Sequence, residues 1–220
     1  MKLLAIDAST EFSSIALTLG EEVLVEELSS QKTHAQLLLP MIQAICTQAG
    51  VEIADLEGIV FGCGPGSFTG LRIACSIAKG LAYPTQIPLY PVSSLTAIAS
   101  LAREQYPEAP VLAVLDARMQ EMYWAYYPPQ TQQVDARLNA VKDIEIPQTQ
   151  EVVLAGVGID LYWQDFTEQL KSQVTQQLTL YPQAATMIRL VQEGLIKPVT
   201  VAEAQPVYVR NQVTQGERGG

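Results

Sequence analysis

Histidine is almost absent from this chain. His34 is the only one in 220 residues. A catalytic metal draws at least three protein ligands, and a nucleophile triad requires an oriented base beside its nucleophile. A helix-start or helix-surface role therefore suits His34 better than catalysis. Cysteine is nearly as scarce. Cys46, Cys63 and Cys75 are an odd number, at no ligand spacing and in apolar stretches, which reads as buried free thiols. Basic residues are few: 13 Lys and Arg against 23 Asp and Glu leave a formal charge of −10. That balance opposes phosphate contact, so the chain alone should bind nucleic acid poorly. Long apolar runs are missing too. Leu37 to Ile45 is interrupted by Pro40 and Gln43 and falls short of the roughly 20 residues a spanning helix needs. In the opening MKLLAIDAST, Asp7 and Ser9 come too early for a secretory apolar region. A soluble cytoplasmic protein is expected.

What is present is ordinary apolar content, 48%, enough to bury a core in one or two domains. Residues 3–7 (LLAID), 14–19 (SIALTL) and 22–28 (EVLVEEL) read as strands in a meander. From Thr33, a plausible cap, the period changes: His34, Leu37, Leu38, Met41, Ile42 and Ile45 follow helical spacing to Gly50. Residues 58–62 (GIVFG) predict a buried strand running into a glycine-rich turn, CGPGSFTG, and then a helix from about Gly70 to Tyr83. A short strand, Pro88 to Pro91, precedes a helix capped by Ser93 and reaching Gln105. Beyond the break at Pro107 to Pro110, strands are expected at 111–118, 122–127 and 152–155. Helices are expected at Asp160 to Lys171 and Gln183 to Leu195. The polar stretch 130–150 gives no pattern, and the terminal GERGG should fray.

VLAVLDAR at 111–118 echoes LLAIDAS at 3–9, with Asp116-Ala117 in the place of Asp7-Ala8, and the next strand follows at almost the same distance. An internal duplication is the simplest reading. The predicted fold is α/β, two domains with mixed sheets (1–108 and 109–220, the C-terminal tail partly disordered). It resembles the duplicated actin-like, ribonuclease-H-like architecture (ASKHA) of actin and sugar kinases. In that architecture the cleft between halves is the default ligand site.

Three sets of residues could carry chemistry or contact. DASTEFSS, residues 7–14, stands at the phosphate-binding turn of actin-like kinases. Asp7, Ser9 and Thr10, with Asp116 in the second half, could face a nucleotide. Equally, they could satisfy backbone groups in a tight turn. Ala8 stands where those kinases usually carry glycine, and a Cβ there hinders phosphate approach. In GCGPGSFTGLR, residues 62–72, Gly64, Gly66 and Ser67 could offer backbone N–H groups to an anion at a helix N-terminus. The alternative is a rigid strand-to-helix turn. It is neither a P-loop, since Leu71 and Arg72 follow Gly70, nor a hydrolase elbow, since Pro65 and Thr69 flank Ser67 where glycines are required. Third, the helix GLRIACSIAKGLAY is small or apolar on nearly every face, and the helix starting at His34 has a second apolar edge with Leu39 and Cys46. Either both are buried, or they leave an apolar patch for a protein partner. The candidate interface residues are His34, Leu38, Met41, Ile42, Ile45, Leu71, Arg72, Ala74, Cys75, Ala78 and Lys79.

LLAIDASTEFSSIAL, HAQLLLPMI, GCGPGSFTGLRIACSIAKGLA and VLAVLDARMQEMYWAYY together resemble the TsaB (YeaZ) family of tRNA threonylcarbamoyladenosine (t6A) biosynthesis subunits. The resemblance is strong to about residue 127 and rests later on scattered features such as PVYVR. It implies a non-catalytic subunit that pairs, through the two over-apolar helices, with the related catalytic subunit TsaD and cooperates with the ATPase TsaE. It further implies no cofactor or metal of its own, ATP or ADP only at a shared interface, and no tRNA binding by this chain alone. TsaD holds its metal with an HxxxH pair; here His34 is followed four residues later by Leu38, so metal-assisted transfer does not carry over. Self-pairing through the same helices is a further expectation. The competing reading is an ATP-using phosphotransferase or ATPase acting in the cleft through Asp7, Asp116 and the glycine turn. A peptidase, an older label of the wider family, is disfavoured by the lone histidine and the failed elbow.

Overall fold

The computed structural model describes residues 1–20, 22–29, 34–148 and 150–209, and for residues 34 and 35 only the backbone. Thr33 as a helix cap, the side chain of His34, Arg210 of PVYVR, and the expected fraying of the terminal GERGG and tail lie outside the described residues.

The first half begins with β1 (Leu3–Asp7), β2 (Phe12–Leu19) and β3 (Glu22–Ser29), the expected antiparallel meander. Helix α1 (His34–Ala49) leads to β4 (Gly58–Gly64), α2 (Phe68–Ala82), β5 (Leu89–Ser93) and α3 (Ser94–Gln105). β4 joins β1 in parallel and β5 joins β4, giving the sheet order β3-β2-β1-β4-β5. Ser93 caps α3 by accepting from Thr96 N–H, as its residue type and position predict.

The second half repeats this order. β6 (Val111–Asp116), β7 (Glu121–Tyr127) and β8 (Arg137–Ala140) form a second meander. β9 (Val152–Val157) lies parallel to β6, and β10 (Val174–Thr179) is parallel to β9, so the order is β10-β9-β6-β7-β8. The two orders superpose when one is read backwards, which turns the echo of LLAIDAS in VLAVLDAR into a topological duplication. The helix expected over 160–171 is broken into α4 (Ile159–Tyr162), a 3-10 turn at Trp163–Asp165 and α5 (Glu168–Gln173). Buried Phe166 adopts an extended backbone and Thr167 then caps α5. The last helix among the described residues is α6 (Ala184–Gln192).

Alternation along the strands assigns the layers. On β1, Leu4 and Ile6 face α1 and α2, where they join Leu38, Ile42, Ile45, Ala74 and Ala78. Leu3 and Ala5 face the opposite way, onto Met187, Ile188 and Val191 of α6. On β6, Val111, Ala113 and Leu115 pack with Leu95, Ile98 and Ala102 of α3, while Leu112 and Val114 pack with Ile159, Tyr162, Phe166 and Leu170. Thus α3, from the first half of the sequence, lies chiefly on the second sheet, and α6, from the second half, lies on the first sheet. Arg189 of α6 ties the two helices together, pairing with Glu104 and donating to Ser100 Oγ at 3.0 Å. Among the described residues no helix is long and apolar enough to cross a membrane.

Candidate functional site

The turn after β1 is spent on itself. Oδ1 of Asp7 accepts from Ser9 N–H at 3.2 Å and from Ser9 Oγ at 2.9 Å. Thr10 Oγ1 donates to Phe12 C=O at 3.2 Å and accepts from Phe12 N–H at 3.1 Å. Asp7 is fully buried, and its Oδ2 has no partner among the described residues. Burial pushes its carboxyl up to about 7, against the opposing pull of the Ser9 hydroxyl and amide. A carboxyl so desolvated is held as the acid more readily than a surface one.

The glycine segment supports this turn from behind. A Cβ on Gly62 would stand 1.9 Å from Asp7 Oδ2, and one on Gly70 would stand 1.8 Å from Ala8 C=O. These two glycines are therefore dictated by close approach of chain to chain. Ser67 N–H donates to Ser9 C=O at 2.7 Å, and Ser67 Oγ accepts from Gly70 N–H at 3.3 Å as the cap of α2. The donors at Ser67 and Gly70 that an anion would use are already engaged, which fits the reading of a rigid turn.

The front of the turn is covered by the β10–α6 connection. The Tyr181 ring lies 4.1 Å from that of Phe12, its hydroxyl donates to Glu11 at 3.1 Å, and Ser14 Oγ accepts from Ala184 N–H at 3.1 Å. Met187 reaches within 3.4 Å of the Cβ position of Gly62. Glu11 and Tyr181 carry no signature in the linear pattern, and only the return of α6 onto the first sheet brings them together.

Asp116, the counterpart of Asp7, has a different setting. Its Oδ1 accepts from Arg118 N–H at 2.7 Å and from the Tyr162 hydroxyl at 3.1 Å, and Oδ2 pairs with the Arg118 guanidinium at 3.1 Å. One aspartate of the pair is a desolvated acid and the other sits in an ion pair. Among the described residues, no group of three His, Cys, Asp or Glu side chains converges to hold a metal.

The candidate interface residues divide by depth. Leu38, Ile45, Ala74 and Ala78 are wholly buried, and Leu71, Ile42 and Cys75 nearly so. They form the seam between the two helices and the sheet and are not on the surface of this chain. Met41 and Lys79 are partly covered and Arg72 is exposed. The surface is offered by their neighbours: Leu37 and Leu39 on α1, and Phe68, Ser76 and Gly80 on α2, with half-covered Ile73 and Ile77 between. An apolar hollow of about 740 Å³ opens beside α1, lined by Leu39, Pro40, Ile42, Gln43, Cys46 and Leu81 among others. Two apolar stripes run along α1, and spacing alone did not say which one met the sheet. All three cysteines are buried free thiols, as their surroundings predict. Burial pushes the Cys63 thiol up to about 12, the setting of an inert group.

Similarity to known proteins agrees with this architecture. The family model described as TsaD, tRNA N6-adenosine threonylcarbamoyltransferase, matches residues 22–202. The tRNA threonylcarbamoyladenosine biosynthesis protein TsaB of Escherichia coli is 35% identical over 97% of this chain and 96% of its own length. The TsaB protein of Haemophilus influenzae is 33% identical over 97% of this chain and 95% of its own. Among solved structures, YeaZ from Pseudomonas aeruginosa is 32% identical with a TM-score of 0.82, covering 94% of this chain and 99% of that one. A duplicated pair of mixed sheets and near full-length similarity lead to one assignment: the chain belongs to the TsaB (YeaZ) family, in the actin-like fold class.

Proposed function

We propose that this chain serves tRNA threonylcarbamoyladenosine biosynthesis as a non-catalytic scaffold, pairing with the catalytic subunit TsaD and holding it in its active arrangement. The observation that carries the proposal is the contrast between two surfaces. The turn at Asp7, where an actin-like enzyme would meet nucleotide, is closed by Tyr181, Met187 and the α6 N-terminus. The outer face of α1 and α2 leaves Leu37, Leu39 and Phe68 open to solvent around half-covered Ile73 and Ile77, the kind of patch that marks a protein contact.

The lone histidine supports a role without metal chemistry of this chain's own. The position four residues after His34 is Leu38, which is buried in the core. The charge of −10 supports a division of labour in which tRNA is held by the partner. On this reading the ATPase TsaE acts on the assembled complex, ATP or ADP sits only at a shared interface, the free chain self-pairs through the same face, and the work is cytoplasmic. The reading as an ATP-using phosphotransferase has no comparable support, because the closed turn leaves its carboxylate buried. The test is reconstitution of tRNA modification by purified TsaD, TsaE and the threonylcarbamoyl-adenylate-forming enzyme with and without this chain. Omission should abolish turnover, and undiminished turnover would refute the proposal.

A further inference from the structure

After α6 the chain does not leave the molecule but runs back along the first half. Val199 exchanges both backbone hydrogen bonds with Leu89 of β5, at 2.8 and 3.0 Å. Ala204 is buried in the first core, and its C=O accepts from Lys79 Nζ at 3.0 Å. Val207 N–H then donates to Cys63 C=O at 2.8 Å, at the end of β4. This C-terminal strap delivers Tyr208 to the N-terminal end of α2.

There Phe68 and Tyr208 pack on each other, ring centroids 5.4 Å apart, and the Arg72 guanidinium lies over the Phe68 ring and against the Tyr208 hydroxyl. The Arg72 carbon Cζ lies 3.7 Å from the Phe68 ring centroid and 5.7 Å from that of Tyr208, and Nε donates to the Tyr208 hydroxyl at 2.9 Å. Among the described residues no carboxylate pairs with Arg72 and its two terminal nitrogens have no acceptor. Stacking on Phe68 and the bond to Tyr208 restrict a side chain that normally loses much rotamer freedom on binding. The rim is apolar: Phe68 is 55%, Val207 50% and Tyr208 40% exposed. Phosphate backbones are read by several cations together. The other cation of α2, Lys79, lies further along the helix with its ammonium on Ala204. A single stacked arginine in an aromatic rim has instead the composition of a protein–protein hot spot.

We propose that Arg72, stacked on Phe68 and bonded to the Tyr208 hydroxyl, receives an Asp or Glu carboxylate of the catalytic partner subunit in a bidentate pair, so that the C-terminal strap is part of the docking surface. The inference rests on the pairing proposed above and adds to it a specific contact and the element that builds it. Arg72 is exposed, and lysine, a point charge without the planar fork, cannot replace it in a bidentate pair.

The test is calorimetric binding of purified TsaD subunit to the full-length chain and to its Arg72→Ala and Arg72→Lys variants, with thermal melts of each. Both variants should bind about tenfold or more weakly at an unchanged melting temperature, with a flatter salt dependence than the parent. Binding by Arg72→Ala within about twofold of the parent overturns the inference and leaves the pairing intact. If Arg72→Ala melts early, Arg72→Lys decides by the same criterion. Absence of binding by the parent chain overturns the pairing itself and this inference with it.

Discussion

The carboxyl of Asp7 fills the space that a side chain at position 62 would need: a Cβ on Gly62 would stand 1.9 Å from Oδ2. Ile6 and Phe61, the residues just before them, are the last partners in the parallel β1–β4 register, so the two positions follow that ladder directly. Gly62→Ala should lower stability by about 1–3 kcal/mol through overpacking. In the double variant Asp7→Ala/Gly62→Ala much of that loss should return. Urea unfolding of the four proteins measures the coupling, and strictly additive losses would contradict the relationship.

Asp7 also sets a pH dependence. Its carboxyl is raised from 3.8 to about 7 in the fold, so between those values the folded chain keeps a proton that the unfolded chain releases. The sign follows: this group's contribution is fully present below about pH 4, is lost as pH rises to about 7, and is level above that. Asp7→Asn should remove this dependence and exceed the parent in stability above pH 7 by a few kcal/mol at most, since each pKa unit is worth about 1.4 kcal/mol. Melting curves of both proteins from acid to neutral pH give the comparison. Parallel profiles would mean that Asp7 is ionised in the fold.

Depth separates folding from pairing on the two surface helices. Ala74 is wholly buried, so Ala74→Glu should destabilise the fold by about 3 kcal/mol or more. Leu39 is 50% exposed and Ser76 is exposed. Leu39→Glu and Ser76→Glu should melt like the parent yet fail to co-elute with TsaD on size exclusion. Co-elution of both exposed-site variants would place the contact elsewhere.

The cover over the Asp7 turn predicts the behaviour of the isolated chain toward nucleotide. With Tyr181 on Phe12 and Glu11, titration with magnesium-ATP should give no binding heat. Tyr181→Phe should cost about 1 kcal/mol for the lost hydrogen bond. Tight magnesium-ATP binding by the parent, without a partner, would revive the phosphotransferase reading.

Much of the fold was legible because periodicity reports burial. The first-half strands and helices fall within a few residues of their expected places, and Ser93 caps as its type suggests. β10, by contrast, reads VTQQLT and is mostly exposed, so it carries no apolar alternation for a pattern to find. The helix expected at 160–171 fails at Phe166 because an apolar residue buried in an extended linker has the same spacing as one buried on a helix face. Depth on the two helices was not legible. Leu38 and Leu37 are adjacent, both apolar, and only the packed sheet decides that Leu38 is core and Leu37 surface. Tyr181 and Tyr208 are distant in sequence from the residues they touch, and no local rule links them.

The proposed scaffold role has the chain enable a reaction it does not itself perform. Its most direct test is the rate of threonylcarbamoyladenosine formation on tRNA by TsaD, TsaE and the adenylate-forming enzyme, with this chain supplied as the parent or as Leu39→Glu. Turnover is expected with the parent, and loss to background both without the chain and with a folded Leu39→Glu variant. Full turnover without the chain, or modification by the chain when TsaD alone is withheld, would contradict it.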